Sequence, residues 1–495
     1  MFHYSESVPY SSIRILEQET FSASIIENCR KGWRLLGLFN AVFSGRQELV
    51  CVLAEDPGVL LDAFRCIPGK SIRSITPDCP QAHLFEREIY EQCGIHPQGH
   101  PWLKPVRFCP AGHRDRTARP GPAQTGYYRI EGAEVHEVAV GPIHAGVIEP
   151  GHFRFQCYGE NVMHLEIQLG FQHRDAEYCL KKAPLVSALP LVENIAGDTA
   201  VGHATAYCVL LERLHSVKVT RRAFLIRRLA LELERLANHT RDLGAIAGDT
   251  GFLPTSAWNG RITGDFLNIT AELCGSRFGR NLLCPGGVKW PVDKNLAEKL
   301  LPKLRAAYRD VSGSVDVMMQ SSTVLGRLTG TGRLSKQAAL DLGIVGPAAR
   351  ACGIACDARR DRPLSDIDSV IQTRTRETGD VLARTLVRAD ELNDSFASAE
   401  NDLILLYGER DEKTSAEFPD TLLPDRLTVA QVEGWRGEIC HIGITDEQGQ
   451  WAAYKIYDPS FHNWQGLAMA LRGEQISDFP LCNKSFNLSY CGHDL

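Results

Sequence analysis

Sixteen cysteines stand in this sequence, and none of them forms a CxxC pair. The closest two are Cys352 and Cys356. On a helix that spacing puts both thiols on one face, but two thiols make a poor metal site without further donors. Buried, reduced, small apolar side chains are the ordinary state of cysteines scattered in this way. The other residue types suited to chemistry fall in three short stretches. IEPGH holds Glu149 and His152, with His144 shortly upstream. ENIAGDTAVGH holds Glu193, Asp198 and His203. DARRDRP holds Arg359, Arg360 and Arg362 beside Asp357 and Asp361. Carboxylates and histidines within a few ångströms of one another relay protons, because burial and like-charged neighbours move their pKa values toward neutrality. Each stretch also has a plain structural reading. Asp198 is placed to cap the helix VGHATAYCVLLERL, and His203 to pack within it. The arginines are placed to pair with Asp357 and Asp361 at the surface, where such pairs contribute about 0–1 kcal/mol each. Glu149 lies in a loop between strands, and loops on rigid scaffolds carry function disproportionately.

These residues must be positioned by several kinds of element. Residues 1–108 read as a small α+β domain. Within it, 35–43 and 48–54 are paired strands across the turn SGRQ, and 56–64 is a helix with Pro57 in its first turn. Residues 109–126, CPAGHRDRTARPGPAQTG, form a linker, since prolines, glycines and arginines leave no apolar face to bury. Over 127–172 the runs YYRIEG, VHEVAVG, HFRFQCYG and MHLEIQLGF alternate apolar and polar residues, which predicts a small antiparallel sheet. From 173 to 430 the pattern is helical. It is clearest at 221–243, where Leu225, Leu229, Leu233, Leu236 and Leu243 form one stripe. A second long helix is expected over 379–406, with a proline- and glycine-rich break at 283–291. Residues 437–457 return to strand character, and the chain closes in a short irregular tail. There is no P-loop and no GxGxxG, so no glycine-rich nucleotide cradle is expected.

The 495 residues suffice for two to four domains, and the 44% apolar and 23% charged fractions are those of an ordinary globular protein. A net charge of −6 argues against nucleic-acid binding. No apolar run approaches the roughly 18 residues that span a bilayer. The first residues, MFHYSESVPY, lack a basic stretch followed by an apolar one, so no secretory signal is read. The expected place is the cytoplasm, with membrane contact made through partners.

Several stretches resemble the proteins that unite the C- and D-type components of complex I with the large subunits of membrane-bound, group 4 nickel–iron hydrogenases. SITP at 74–77, FEREIYEQCGI at 85–95 and GHPWL at 99–103 are similar to the C-type component. VGPIHAGVIEPGHFRF at 140–155, LELERLANHTRDLGAIAGDTGF at 231–252 and GSRFGRNLLCPGGV at 275–288 resemble the large-subunit module. GPAARACGIACDARRDRP at 346–363, GDVLARTLVRADEL at 379–392, DPSFHNWQGL at 458–467 and DFPLCNKSFNLSYCGHDL at 478–495 continue the likeness in the same order. The resemblance implies an α+β architecture: a C-type domain of complex I over 1–108, fused to a D-type, hydrogenase-like domain over 127–495. The latter comprises a β part at 127–172, a helical part at 173–430 and C-terminal strands and tail at 437–495.

In such hydrogenases two cysteine pairs hold nickel, and two of the four thiolates bridge to iron. The resemblance places those positions at Ala196, Thr199, Ser489 and Gly492, with His203 and Tyr207 keeping the frame and Cys491 one residue out of register. Two of the four offer no side-chain donor and two offer hard hydroxyls, which disfavours a nickel–iron centre. In complex I the same place forms a quinone-headgroup pocket, with a histidine and a tyrosine as ligands. His144 and His152 are the candidate histidines here, and Gly197 stands at the tyrosine position. The resemblance therefore implies a pocket of acid–base character, with Glu149, Glu193, Asp198 and His203 as proton-handling residues. His144, His152, Arg359 and Arg360 are its substrate-binding candidates, one arginine facing the pocket.

Two functions remain open at this point. In one, the chain is a redox-module subunit of a complex I-like membrane assembly, passing electrons to a quinone or another acceptor in step with ion movement. In the other, it is a non-catalytic coupling subunit with the same interfaces. An active hydrogenase is a distant third. The implied partners are an iron–sulfur small subunit and antiporter-like membrane subunits. No cofactor is expected on this chain itself. The helix at 201–214 and the C-terminal tail are the candidate faces for the small subunit.

Overall fold

The leucine stripe at 225–243 drives the largest packing unit. All five of its leucines are fully buried, on the helix Arg221–Asp249. That helix packs against Leu253–Cys274 and Val381–Gly408, and Lys294–Met319 closes the bundle against both. These arrangements are seen in a computed structural model that describes residues 1–108, 125–143, 148–365, 371–408 and 413–495. Most of the expected linker and all of His144 lie outside the described residues.

Among the described residues, the three larger sheets flank the bundle. In the first, Trp33–Phe43 pairs with Arg46–Glu55, which pairs with Leu60–Cys66. The helix expected at 56–64 is not there. Leu61, Ala63 and Phe64 can be spaced on a helix face, but pairing with the neighbouring strand satisfies the backbone of 60–66 and buries the same side chains. The second unit orders Asn161–Gln168, His152–Tyr158 and Val135–Val140. It agrees with the alternating pattern except at YYRIEG, where 127–132 is irregular. The third orders Trp451–Tyr457, Gly437–Thr445, Arg426–Gly434 and the N-terminal strand Ser7–Pro9. The strand at 426–434 was expected as helix up to 430. It is buried almost throughout, so no polar face marks its period of two. The tail is also more regular than expected, with helices at Pro459–Ala470, Phe479–Phe486 and Tyr490–Asp494.

The N-terminal unit does not keep a separate core. Phe39, Val52 and Phe85 share one apolar cluster with Val429, Ile442, Tyr457 and Phe461 of the C-terminal region. The larger cluster joins the bundle to the second sheet and the tail. Where the backbone of 346 meets that of 436–437, glycine is required on both sides. A Cβ on Gly346, whose φ is +70°, would lie 2.2 Å from the Arg436 carbonyl oxygen. This contact pins the segment after 345 onto the third sheet's hairpin, beside the candidate site. The architecture is α+β.

Candidate functional site

The helix Ala200–His215 carries His203 into the interior, and the tail helix Tyr490–Asp494 folds back onto the loop that precedes it. The two separated stretches of interest therefore meet. Arg174 ties them together, donating to the Ile195 and Cys491 carbonyls, and the Ser489 hydroxyl lies 3.3 Å from the Cys491 thiol. Burial and the Glu149 charge push that thiol up to about 11. Glu149 also accepts the Tyr490 N–H at 3.3 Å. Tyr490 lies so close to Gly151 that a Cβ there would touch its ring at 2.5 Å.

A second layer lies beneath. Ser489 caps the last helix through the Gly492 N–H at 2.9 Å. A Cβ at Gly492 would fall 2.7–2.9 Å from all three atoms of the Asp458 carboxyl group. That carboxylate cannot easily move. It accepts the Ser460 N–H at 2.8 Å and faces His203 Nε2 at 3.1 Å. His203 Nδ1 lies 3.1 Å from His441 Nε2, and His441 Nδ1 lies 2.8 Å from the Tyr454 hydroxyl. Asp458, His203 and His441 are at most 1% exposed, and Tyr454 is 2% exposed.

The hydrogen-bond partners fix the protons. Ionised Asp458 only accepts, so His203 carries its hydrogen on Nε2. Its Nδ1 then accepts from His441 Nε2–H, and His441 Nδ1 accepts from Tyr454. Every link holds one proton, and all of them point toward Asp458. Burial pushes the Asp458 carboxyl up, but the His203 hydrogen bond and the nearby Arg436 outweigh it and hold it below the usual range. Burial, with His203 adding, holds His441 well below the usual imidazole range, while burial pushes Tyr454 well above the usual phenol range.

The other expected residues are distributed differently. Asp198 is not a helix cap. Its carboxylate is clamped by Arg436 at 2.6 and 2.9 Å and by Arg241 at 2.9 Å. Burial would raise it, but the Arg436 charge dominates the outcome and holds it below the usual range, so it is a fixed anion. Glu234 takes the capping role, accepting the N–H groups of Val201 and Gly202 at 2.8 and 3.2 Å. Burial pushes it up to about 8 against those donors. Glu193 accepts the Asn281 N–H at 2.7 Å, an anchor between loops. His152 turns Nδ1 to the Gly141 carbonyl at 3.1 Å, and burial holds it below the usual imidazole range. Arg359 binds Asp357 at 2.7 Å, and Arg360 binds Asp361 and the Ala355 carbonyl. Neither contacts the residues around Ala196 and Ser489, and the pairing with Asp357 is buried rather than solvated. Cys352 and Cys356 do not share a helix, since the helix ends at Ala351.

Ala196 and Thr199 are fully buried, and Thr199 Oγ1 accepts from Trp435 Nε1 at 3.1 Å. No thiol stands at any of the four positions, and the Asp458 carboxylate fills the space beside the fourth. This donor set does not fit a nickel–iron centre. The helix Ala200–His215 and the tail, both expected as partner-facing, are buried almost throughout within the chain itself. His441, Tyr454, Asp458 and Glu234 were not singled out from sequence. A histidine amid the apolar strand EICHIGI and an aspartate opening DPSFHNW were the available signals.

Comparison with known proteins agrees with this architecture. Residues 34–116 match the family model "Respiratory-chain NADH dehydrogenase, 30 Kd subunit", and residues 249–406 match the 49 Kd subunit model. The D 1 component of NADH-quinone oxidoreductase from Chloroherpeton thalassium is 30% identical over 65% of this chain and 78% of its own length. Formate hydrogenlyase subunit 5 of Escherichia coli is 28% identical over 84% of this chain and 76% of its own. A chain of the membrane-bound sulfane sulfur reductase, an archaeal respiratory membrane complex, shares the fold with a TM-score of 0.68 and 23% identity, covering 74% of this chain and 100% of that one. The chain belongs to the family that joins the 30- and 49-kDa subunits of respiratory NADH dehydrogenase with the large subunits of membrane-bound hydrogenases. Among the described residues no helix is long and apolar enough to cross a membrane.

Proposed function

We propose that this chain is the large subunit of the peripheral redox module of a complex I-like, energy-converting membrane assembly. In this reading it handles protons in step with electron transfer and holds no nickel–iron centre. Electrons arrive from an iron–sulfur small subunit, antiporter-like membrane subunits move the ion, and the assembly lies on the inner face of the cell membrane. A quinone is one acceptor compatible with the pocket's place in the fold, although Gly197 supplies no phenol to hold it.

The observation that carries the reading is the Asp458 carboxylate lying where a side chain at residue 492 would begin. In this reading, the space that a ligand side chain at residue 492 would need lies against the anchor of the buried histidine chain. Glu149 and Cys491 form the half-exposed rim of that site, and His203 is the proton acceptor beneath it. The arrangement around His203 also favours a catalytic subunit over a passive one, because imidazoles hydrogen-bonded in series to a buried carboxylate are groups suited to proton transfer.

The test uses the assembled complex purified from its membrane. Iron without stoichiometric nickel is expected. The variants His203→Ala and Glu149→Gln are expected to lower coupled ion movement at least tenfold while the complex stays assembled. Stoichiometric nickel would overturn the reading. Full coupling in both variants would leave the chain a passive coupling subunit.

A further inference from the structure

Beside the loop that Glu193 anchors, apolar side chains stand in the open among cations. Leu191, Phe278 and Trp290 are 41%, 46% and 45% exposed. They come from separate stretches, and Asn281 ties those stretches together. Its N–H goes to the Glu193 carboxylate at 2.7 Å, two residues from Leu191. Its backbone carbonyl accepts from Trp290 Nε1 at 3.0 Å, and its side-chain oxygen accepts from Lys289 Nζ at 2.5 Å. Phe278 lies in the turn that leads into Asn281, where the N–H groups of Phe278 and Arg280 both reach Ser276 Oγ at 3.3 Å. The only donor of the Trp290 indole is thus satisfied within the chain, and what it exposes is apolar.

Four cations belong to the same stretches. Lys289 adjoins Trp290, and Arg277 and Arg280 stand on either side of Phe278. Arg174 donates to the Asn194 and Ile195 carbonyls at 2.5 and 2.8 Å, just past the end of the helix that carries Leu191. Among the described residues none of the four makes an ion pair with a carboxylate. The acids nearby are fewer. Glu193 is buried against Asn281, Asp293 caps the helix Lys294–Met319 through the Leu296 N–H at 2.7 Å, and Asp175 is part-buried. A chain of net charge −6 therefore carries an uncompensated positive rim around its exposed apolar side chains here.

We propose that this face rests on an anionic lipid surface. Trp290, Phe278 and Leu191 enter the headgroup layer, and Arg174, Arg277 and Lys289 meet the lipid phosphates. Tryptophan and other large apolar side chains beside lysine and arginine are the composition that a headgroup layer takes up. Cations without partners in the chain suit a surface of phosphates, which offers acceptors at no fixed spacing. This assignment rests on the reading of the chain as a peripheral part of a membrane assembly and names the face that meets the lipid. The face borders the candidate site, since Arg174 also donates to the Cys491 carbonyl at 3.2 Å.

The test is flotation of the full chain with lipid vesicles. Vesicles of phosphatidylcholine with phosphatidylglycerol should carry the chain upward at low salt, and high salt should release it. Vesicles of phosphatidylcholine alone should leave it behind. Arg277→Glu combined with Lys289→Glu should lower the bound fraction about tenfold or more. Trp290→Ser combined with Phe278→Ser should lower it about threefold or more. Lys31→Glu combined with Arg46→Glu makes the same change in net charge on the exposed surface of the N-terminal unit, and it should alter binding less than about twofold. Thermal melting checks that each variant is folded. No binding to either vesicle, equal binding to both, or an equal loss in the Lys31 and Arg46 pair overturns the proposal. If neither vesicle binds and the Arg277 and Lys289 pair instead releases the chain from the purified complex, the face belongs to a protein partner and the proposal falls. Nickel content of the complex bears on the wider reading alone, so the two can fail separately.

Discussion

The hairpin formed by Arg426–Gly434 and Gly437–Thr445 serves two buried polar clusters that behave in opposite ways. On its second strand, His441 continues the chain from Asp458 and His203 to Tyr454. On its first strand, Glu433 joins a network around Arg350. Arg350 donates to Glu391 at 2.7 Å and to Glu433 at 2.8 Å, and Glu391 meets His239 at 3.0 Å. Arg359 and Asp357 extend that network. Both clusters are almost wholly buried. In the first, one anion faces two imidazole rings joined to each other by a hydrogen bond. In the second, guanidinium groups that never release a proton hold the carboxylates in place. Dense charge here is scaffold, and the sparse imidazole chain is the part equipped for chemistry.

The sharpest way to break this contrast is Arg350→Ala. Glu391 and Glu433 would keep their buried positions without their main counter-charge. Removing one partner of a buried pair typically costs about 3–5 kcal/mol. Denaturant titration should show a loss of that size, larger than the loss for His203→Ala, which leaves the Asp458 carboxylate still accepting the Ser460 N–H. A smaller loss for Arg350→Ala than for His203→Ala would reverse the assignment of scaffold and chemistry.

Much of this difference was hidden in the sequence for a physical reason. The bundle helices were readable because their stripes repeat locally. The motif DARRDRP drew attention because its charges are contiguous, yet Arg359 and Arg360 spend them on adjacent aspartates. His203 was visible from its place after the degenerate cysteine positions. Its partners His441 and Asp458 lie 238 and 255 residues away. No local spacing rule reaches them, and only the folding of the third sheet brings them together. Strand 426–434 was missed for a related reason, since burial on both faces erases alternation.

A second prediction concerns the join between the tail and the relay. Gly492→Ala puts a methyl group 2.7–2.9 Å from the Asp458 carboxyl atoms. Overpacking of this kind costs about 1–3 kcal/mol. In an Asp458→Ala background most of that cost should vanish, giving a coupling of similar size in a double-mutant cycle. Additive losses would show that residue 492 and Asp458 do not compete for one space.

Glu234 offers a third, smaller effect with a defined pH sign. Burial pushes its carboxyl up to about 8 in the folded chain. The folded state then binds a proton that the unfolded chain releases near the ordinary carboxylate value, about 4.3. Its stabilising contribution is full below that value and is lost as pH rises through about 8. Glu234→Gln should therefore gain stability relative to the unaltered chain between about pH 5 and pH 8. Partial exposure of Glu234 limits this relative gain to the order of 1 kcal/mol. Measuring the difference between the two chains cancels the buried histidines, such as His462, lowered by burial to about 3, which act in the same window. A difference that is flat with pH would return Glu234 to the role of an ordinary ionised cap.

The smallest effect is expected on the opposite side of the same site. Gly197 occupies the position at which the family resemblance expects a tyrosine, and a Cβ built there meets nothing within 4 Å. Its backbone is outside the left-handed region, so a side chain adds no strain there. Gly197→Tyr should change stability by no more than about 0.5 kcal/mol, as for an exposed substitution. Gly492→Ala, with a far smaller side chain, should cost more. The two glycines thus mark different kinds of loss. At residue 492 the space has been taken by the relay's anion, and a ligand cannot be restored without moving it. At residue 197 a Cβ meets nothing, so a side chain can start there without displacing the relay. If Gly197→Tyr proves as costly as Gly492→Ala, the rim is closed as well, and access to Cys491 and Glu149 must come from another side.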